Sequence, residues 1–458
     1  MIGTRRIAYI HSGELIRAAD CLPANDGRAS LVHSLIDAFS LLDDGDESRE
    51  GPVRVRIVEP ECASREDLLK FHDERYIDAV LGSSNNNGSS SKSADHDEFS
   101  EDEETPPPRS FGLSGDFTAS EPPRKRRRTE GLGLQDDCPD FPELSDYIQL
   151  VAGASMTAAR MLRDGEADVA INWTGGRHHA KRGEASGFCY VNDIVLAIME
   201  LRSPPVPPRA SSPSTTPQPQ PQPARISRVL YLDIDLHHGD GVESAFFTSP
   251  YVLTLSIHLH APLFFPSSGA LDSTGPANSK APGRGHALNV ALEPGLCEAN
   301  FKRIWESCVE EVAKEYEADA VVVQMGVDGM VGDPCKEWNL PLSAYGFALE
   351  RVLSWKKPAL VLGGGGYSSA NAARAWAYLM SVALDRPLLL DSPIPSDLDA
   401  EQYAHFAPDF ALDVPEGHMR EHNTEETLAK VENAFEGYAE VLHQRWAKKR
   451  EAKQDLQS

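Results

Sequence analysis

The segment Val229-Leu-Tyr-Leu-Asp-Ile-Asp-Leu-His-His-Gly-Asp240 admits few folds. Its apolar lead-in reads as a short buried strand, and Asp233, Asp235 and His237 follow at alternate positions. Alternate residues of a strand share one face, so two carboxylates and an imidazole are expected to point at the same spot. Two carboxylates side by side are costly unless a cation neutralises them, and a divalent metal is the simplest account. An Asp-x-His pattern alone is a weak signal, but three further segments strengthen it. Trp173-Thr-Gly-Gly-Arg-His178-His179 sets two histidines after an apolar run. Gln324-Met-Gly-Val-Asp328 ends the run Ala320–Val323 with a carboxylate, and Leu362-Gly-Gly-Gly-Gly-Tyr367 ends another with a tyrosine on a glycine-rich turn. The C-terminal ends of buried strands are where open α/β sheets hold their active sites.

The runs Ile7–Ile10, Val53–Val58, Val169–Asn172, Val229–Asp233, Val252–Ile257, Ala320–Val323 and Ala359–Leu362 predict strands. Helical periodicity covers Ser30–Leu41, Tyr147–Leu162, Ile194–Leu201, Asn300–Tyr316, Ala344–Trp355 and Ala370–Leu384. Short β-branched runs alternating with helices imply an α/β fold, a mostly parallel central sheet flanked by helices on both faces. Two stretches lack the apolar residues that offset ordering entropy and read as disordered insertions, 82–133 and 203–224. The first carries an acidic patch (Asp95 to Glu104) and the basic run Arg124–Arg128, and the second is proline-rich. What remains is one domain over residues 1–441, with 442–458 read as a helical, charged and solvated tail.

The 458 residues carry 70 acidic against 44 basic side chains, a formal charge of −26 that repels nucleic acid and mildly favours a cationic partner. Seven dispersed cysteines without a Cys-x-x-Cys pair argue against a disulfide framework or zinc finger and fit a reducing compartment. Neither a signal-peptide run nor a stretch near the ~20 apolar residues of a membrane span is present, so a soluble intracellular protein is expected. Arg124–Arg128 has two readings: a nuclear-localisation signal taken by an importin, which its proline-flanked setting favours, or a nucleic-acid contact.

Gly175-Gly-Arg-His-His-Ala-Lys181, Glu184-Ala-Ser-Gly-Phe-Cys-Tyr-Val-Asn-Asp193, Asp233-Ile-Asp-Leu-His-His-Gly-Asp-Gly241 and Leu362-Gly-Gly-Gly-Gly-Tyr367 occur in this order. They resemble the signature blocks of class I zinc-dependent histone deacetylases across nearly everything but the insertions and tail. Arg28-Ala-Ser-Leu-Val-His-Ser34, Asp137-Cys-Pro139 and Gly332-Asp-Pro334 are most similar to the eighth human-type branch and its fungal relatives. The resemblance implies an arginase/deacetylase-type fold and a nuclear enzyme of chromatin that hydrolyses N6-acetyl-lysine, in histone tails above all.

Carried over by position, the resemblance makes Asp235, His237 and Asp328 the zinc ligands. Three protein ligands leave room for water and a carbonyl, as catalytic zinc requires, and oxygen-rich ligation also suits Fe(II) or Co(II). His179 is implied as general base and then acid, His178 as its electrostatic assistant, with Asp240 and Asp233 as their carboxylate partners. How the two histidines share the proton is left open. Tyr367 is implied as the donor to the oxyanion. Gly187, Phe188, Phe265, Cys335 and Gly365 are implied to line the substrate channel, Asp137 to hold the substrate backbone at the rim, and Arg28 to line an acetate exit. Asp233, Asp235, His237 and Ser256 are implied to form a potassium site.

The chain departs from the family pattern in places. Cys335 stands where a larger Leu or Met is usual, which widens the expected tube and opens the acyl-chain preference. Pro334 replaces the arginine that corepressor-bound members use for inositol phosphate, suggesting activity without such a complex. Arg177 and Ser267 are further local differences. Two rival functions are an acetylpolyamine-type amidohydrolase and an inactive acetyl-lysine reader. The long signature blocks argue against the first, and the full set of ligands, bases and oxyanion donor against the second.

Overall fold

The computed structural model describes residues 5–42, 53–82, 130–206, 223–278 and 280–455, the side chains of 448–455 excepted. The acidic patch, Arg124–Arg128 and most of the proline-rich stretch lie outside the described residues. Eight strands form one sheet: β1 (Arg5–Ile10), β2 (Val53–Val58), β3 (Val169–Asn172), β4 (Val229–Asp233), β5 (Val252–Leu259), β6 (Ala287–Leu292), β7 (Ala320–Gln324) and β8 (Ala359–Leu362). Their order is β2-β1-β3-β8-β7-β4-β5-β6, and every neighbouring pair is parallel.

Both faces of the sheet are buried, which explains why its central strands are apolar throughout rather than alternating. Leu230, Leu232, Val321 and Val323 join one core with the helices Arg28–Ala38, Leu342–Ser354 and Ser369–Ala383. Val229, Tyr231, Ala320 and Val322 join the other, with Leu144–Arg163 and Asp193–Leu201. The expected α/β architecture therefore holds. The four strands that carry the polar clusters, β3, β8, β7 and β4, are consecutive in the sheet, so their C-terminal ends form one continuous edge.

Four expectations need correction. Strand β6 went unpredicted because Asn289 interrupts its apolar run, yet this side chain is fully buried and donates to Glu243 and to the Ser273 carbonyl. The first insertion is narrower than 82–133: Gly82 closes the helix Glu74–Gly82, and Leu132 is buried, its carbonyl accepting from Ala185 N–H at 2.9 Å. The second begins later than Ser203, whose hydroxyl donates to Glu200 O. Finally, no tail separates at residue 442. The helix Glu425–Asp455 runs through that point, burying Leu428, Val431, Phe435, Leu442 and Trp446, a three-to-four-residue stripe hidden among Lys and Glu.

Candidate active site

The strand alternation expected from Asp233 to His237 stops at its first member. β4 ends on Asp233, and Asp235 and His237 lie in the turn beyond it. Hydrogen bonds do what the pleat was expected to do. Asp235 N–H donates to Asp233 Oδ1 at 3.1 Å, and His237 N–H donates to Asp235 Oδ1 at 3.0 Å. The backbone thus winds around its own carboxylates.

Asp328 reaches the same point from the turn after β7. Its Oδ1 accepts from Leu236 N–H at 2.8 Å, and its Oδ2 lies 2.8 Å from His237 Nδ1. Asp235 Oδ1 lies 3.3 Å from the same nitrogen. Asp235 Oδ2 accepts from Gly365 N–H at 2.9 Å and from the Gln324 amide at 2.8 Å. Two buried carboxylates and one imidazole thus present oxygen and nitrogen donors about as far apart as the ligands of one small cation. Burial and the charge of Asp235 raise the Asp328 carboxyl, the repulsion that a divalent ion would relieve. The donor set fits a metal. Cys335 approaches from the side: its thiol, His237 and Asp328 offer ligand atoms within 4.8 Å of one another. Asp235 stands outside that trio, but its own contacts with His237 keep it in the donor set.

The two histidines of the turn after β3 stand beside these donors, their rings 3.9 Å apart. His178 Nδ1 lies 2.8 Å from Asp233 Oδ2, which also accepts from the Tyr231 hydroxyl at 2.5 Å. His179 Nδ1 lies 2.9 Å from Asp240 Oδ1, and Lys181 pairs with the other oxygen of Asp240. Their titrations diverge. Burial lowers both, but the charges of Asp233 and Asp235 outweigh it for His178 and lift it to about 9. His179, facing His178, is pushed down to about 3. The surroundings thus favour the cation at His178 and the free base at His179.

Tyr367 follows the glycine turn after β8, its ring 5.6 Å from Phe188. Its backbone N–H donates to Asp333 Oδ2 at 2.7 Å, and burial holds its hydroxyl well above the usual phenol range. Phe265 lies 4.8 Å from the His179 ring on the other side and remains partly exposed. At Gly187, with φ 53°, a Cβ would fall 2.4 Å from His179 Cδ2, and at Gly365 it would fall 2.5 Å from Asp328 Oδ2. Neither position has room for a side chain. Asp137 accepts from Gly187 N–H at 2.9 Å and so stands at the rim.

Two expected groups sit apart from this cluster. Arg28 is buried in a small cavity with His33, Trp173 and Arg177, donating to Gly366 O at 2.7 Å and stacking over Trp376. Ser256 is in register with Asp233 on β5, but its hydroxyl engages His258 Nδ1 at 2.9 Å. Several supporting residues were not anticipated. Asp193 accepts from the N–H groups of Gly176 and Arg177 at 3.0 and 2.7 Å and anchors the turn that carries both histidines. Gln324 bridges Asp235 and Gly176 O, and Asp333 holds the turns of Cys335 and Tyr367. Their signal was a polar residue ending an apolar strand, or lying inside a motif read for other members.

Residues 22–383 match the histone deacetylase domain family. The chain belongs to the histone deacetylase family. It is 36% identical to Histone deacetylase 8 of Danio rerio over 434 residues, 95% of each chain. Histone deacetylase 8 of Xenopus tropicalis is 34% identical over 94% of this chain and 96% of its own. Histone deacetylase 9 of Arabidopsis thaliana is 37% identical over a shorter span, 65% of this chain and 63% of its own. A hydrolase that deacetylates lysine with a catalytic metal, acting on acetylated proteins, accords with this membership and with the donor set above. Among the described residues, no helix is long and apolar enough to cross a membrane.

Proposed function

We propose that this protein hydrolyses N6-acetyl-lysine in histone tails and other nuclear proteins, releasing acetate and free lysine. The observation that carries the reading is the pairing of a three-donor metal set with two adjacent histidines, each oriented by its own carboxylate. Asp235, His237 and Asp328 would hold the metal, zinc in the first instance and iron(II) as the alternative in the cell. Bound there, it would supply Lewis-acid activation of water and of the acyl carbonyl.

The protein's residues do the rest. His179, neutral and tied through Nδ1 to Asp240, takes the proton of the attacking water and delivers it to the leaving lysine amine. His178, charged against Asp233, stabilises the negative charge that develops beside it. The Tyr367 hydroxyl, protonated throughout the neutral range, donates to the oxyanion. Phe188 and Phe265 wall the channel, Asp137 holds the substrate backbone, and Arg28 lines the route for acetate. Asp233, Asp235 and His237 with β5 around Ser256 would hold potassium. Importin recognition of Arg124–Arg128 would bring the enzyme to the nucleus, where it acts as a chromatin repressor.

The test is acetate release from an acetylated histone-tail peptide by the purified protein, with chelator and with zinc or iron added back. Chelator-sensitive, metal-restored turnover is expected, and Asp235→Ala should bind no metal. Turnover of acetylpolyamine with none of the peptide would sink the protein-substrate reading.

A further inference from the structure

We propose that Leu263 forms an apolar subsite at the channel mouth for the residue flanking the acyl-lysine of a peptide substrate. The inference rests on the deacetylase reading and extends it to substrate selection. It begins from a turn. Phe264 N–H donates to Ala261 O at 3.1 Å, closing a β-turn with Pro262 and Leu263 at its centre. Proline at the second position of such a turn is common. At the third, a left-handed backbone ordinarily calls for glycine or asparagine. Leu263 holds that position at φ 64°, a conformation that its Cβ disfavours.

Among the described residues, nothing compensates for this choice. The Leu263 side chain is 99% exposed, whereas the large apolar residues of the fold are otherwise mostly buried. Glycine would fit the turn without strain and expose less apolar surface. No contact with the described residues returns that cost, which leaves an incoming molecule at the channel mouth to return it.

Its position says what that contact is. The next residue, Phe264, stacks on the His237 ring at 5.0 Å with an interplanar angle of 9°. The one after, Phe265, is 39% exposed and lies 4.8 Å from the His179 ring. Leu263 is thus the outer end of a three-residue apolar ridge that descends to the reacting groups. Its occupant is whatever enters the channel, and the part of a peptide at that height is the side chain next to the acylated lysine. Covering about 40 Å² of leucine at ~25 cal/mol per Å² corresponds to about a fivefold gain in binding.

The experiment compares the wild-type protein with Leu263→Gly and with Leu263→Asn, which also suits a left-handed turn. Acetylated peptides that differ only in Leu or Ser beside the acetyl-lysine, on either side, are measured for kcat and KM together with an unflanked acetyl-lysine amide. Wild type should favour the Leu peptide about fivefold, through KM. In both variants the ratio should fall towards one, with the thermal midpoint unchanged or raised. An unchanged ratio overturns the subsite. So does an equal loss on the unflanked amide, which would make Leu263 a support for the Phe264 and Phe265 rings. If wild type cleaves the amide but no variant changes the peptide ratio, the deacetylase reading stands and this inference falls. No turnover of any acetyl-lysine substrate defeats both.

Discussion

Gln324→Met removes one amide from the fully buried end of β7 while keeping the length and most of the bulk of the side chain. The amide nitrogen donates to Asp235 Oδ2 at 2.8 Å and to Gly176 O at 3.4 Å, and the amide oxygen accepts from Gly326 N–H at 2.7 Å. The substitution leaves Gly326 N–H buried without its partner, at a cost of ~1–3 kcal/mol. It also removes a charge-assisted bond to Asp235 worth ~1.5–3 kcal/mol, while Gly365 N–H still holds that oxygen. Because the Gly176 contact is long, we assign it little. The sum is a destabilisation of about 2.5–6 kcal/mol, measurable by urea denaturation of the metal-free protein. Asp235 then turns more freely, and metal affinity should fall about 10–100-fold in a chelator competition. Unchanged metal affinity despite lost stability would show that Gln324 supports the fold and not the donor set. Unchanged stability would refute the hydrogen-bond reasoning itself.

Three further outcomes follow from the same contacts. Asp240→Asn should lower kcat about 10–100-fold with little change in KM, because His179 loses the carboxylate on its Nδ1; a loss under threefold in steady-state kinetics would count against its role. Cys335→Met should narrow the channel beside Asp328 and lower kcat/KM for butyryl-lysine relative to acetyl-lysine, and an unmoved ratio would place Cys335 outside the acyl path. Burial lowers His72 to about 4, its Nε2 accepting from Asn192 N–H at 3.0 Å. The unfolded chain takes up that proton near pH ~6.5 and the folded chain only near 4, so stability is lost as pH falls through this window, by up to about 3 kcal/mol. In His72→Gln this share of the acid sensitivity should disappear from the denaturation midpoints, and parallel pH curves for both proteins would contradict it.

The strands were legible where burial on both faces left uninterrupted apolar runs, as in Val229–Leu232 and Val321–Val323. They were illegible where a polar side chain found a buried partner, as Asn289 does with Glu243. The same rule governs the site. Asp235, His237, Asp328 and the paired histidines announce themselves because apolar runs rarely end on such groups. Gln324 and Asp193 escape notice because an amide or a carboxylate that braces neighbouring turns and side chains has no spacing of its own. The strand face that first suggested convergence at Asp235 was the wrong device, since β4 ends at Asp233. The long C-terminal helix was hidden for another reason: its buried stripe is one residue in three or four among charged neighbours, which reads locally as a solvated tail.

The division between reacting groups and rim follows from what holds each in place. Asp235, Asp328 and Asp193 each accept backbone N–H bonds from turns at the sheet edge, and Gly187 and Gly365 admit no Cβ beside His179 and Asp328. A substitution there must move the backbone of several turns together, so these positions tolerate little. Leu263 and Phe265 stand on a turn whose bonds are local, and Asp137 reaches only the Gly187 N–H. The Cys335 turn is tied through Asp333 to that of Tyr367, but none of these four side chains accepts the backbone bonds that hold Asp235 and Asp328. Changing one of them alters what touches the substrate without disturbing the carboxylates beneath. Selectivity can therefore change in this fold one rim residue at a time while the hydrolytic centre stays fixed. A leucine in a turn built for glycine is the form that such a change takes here.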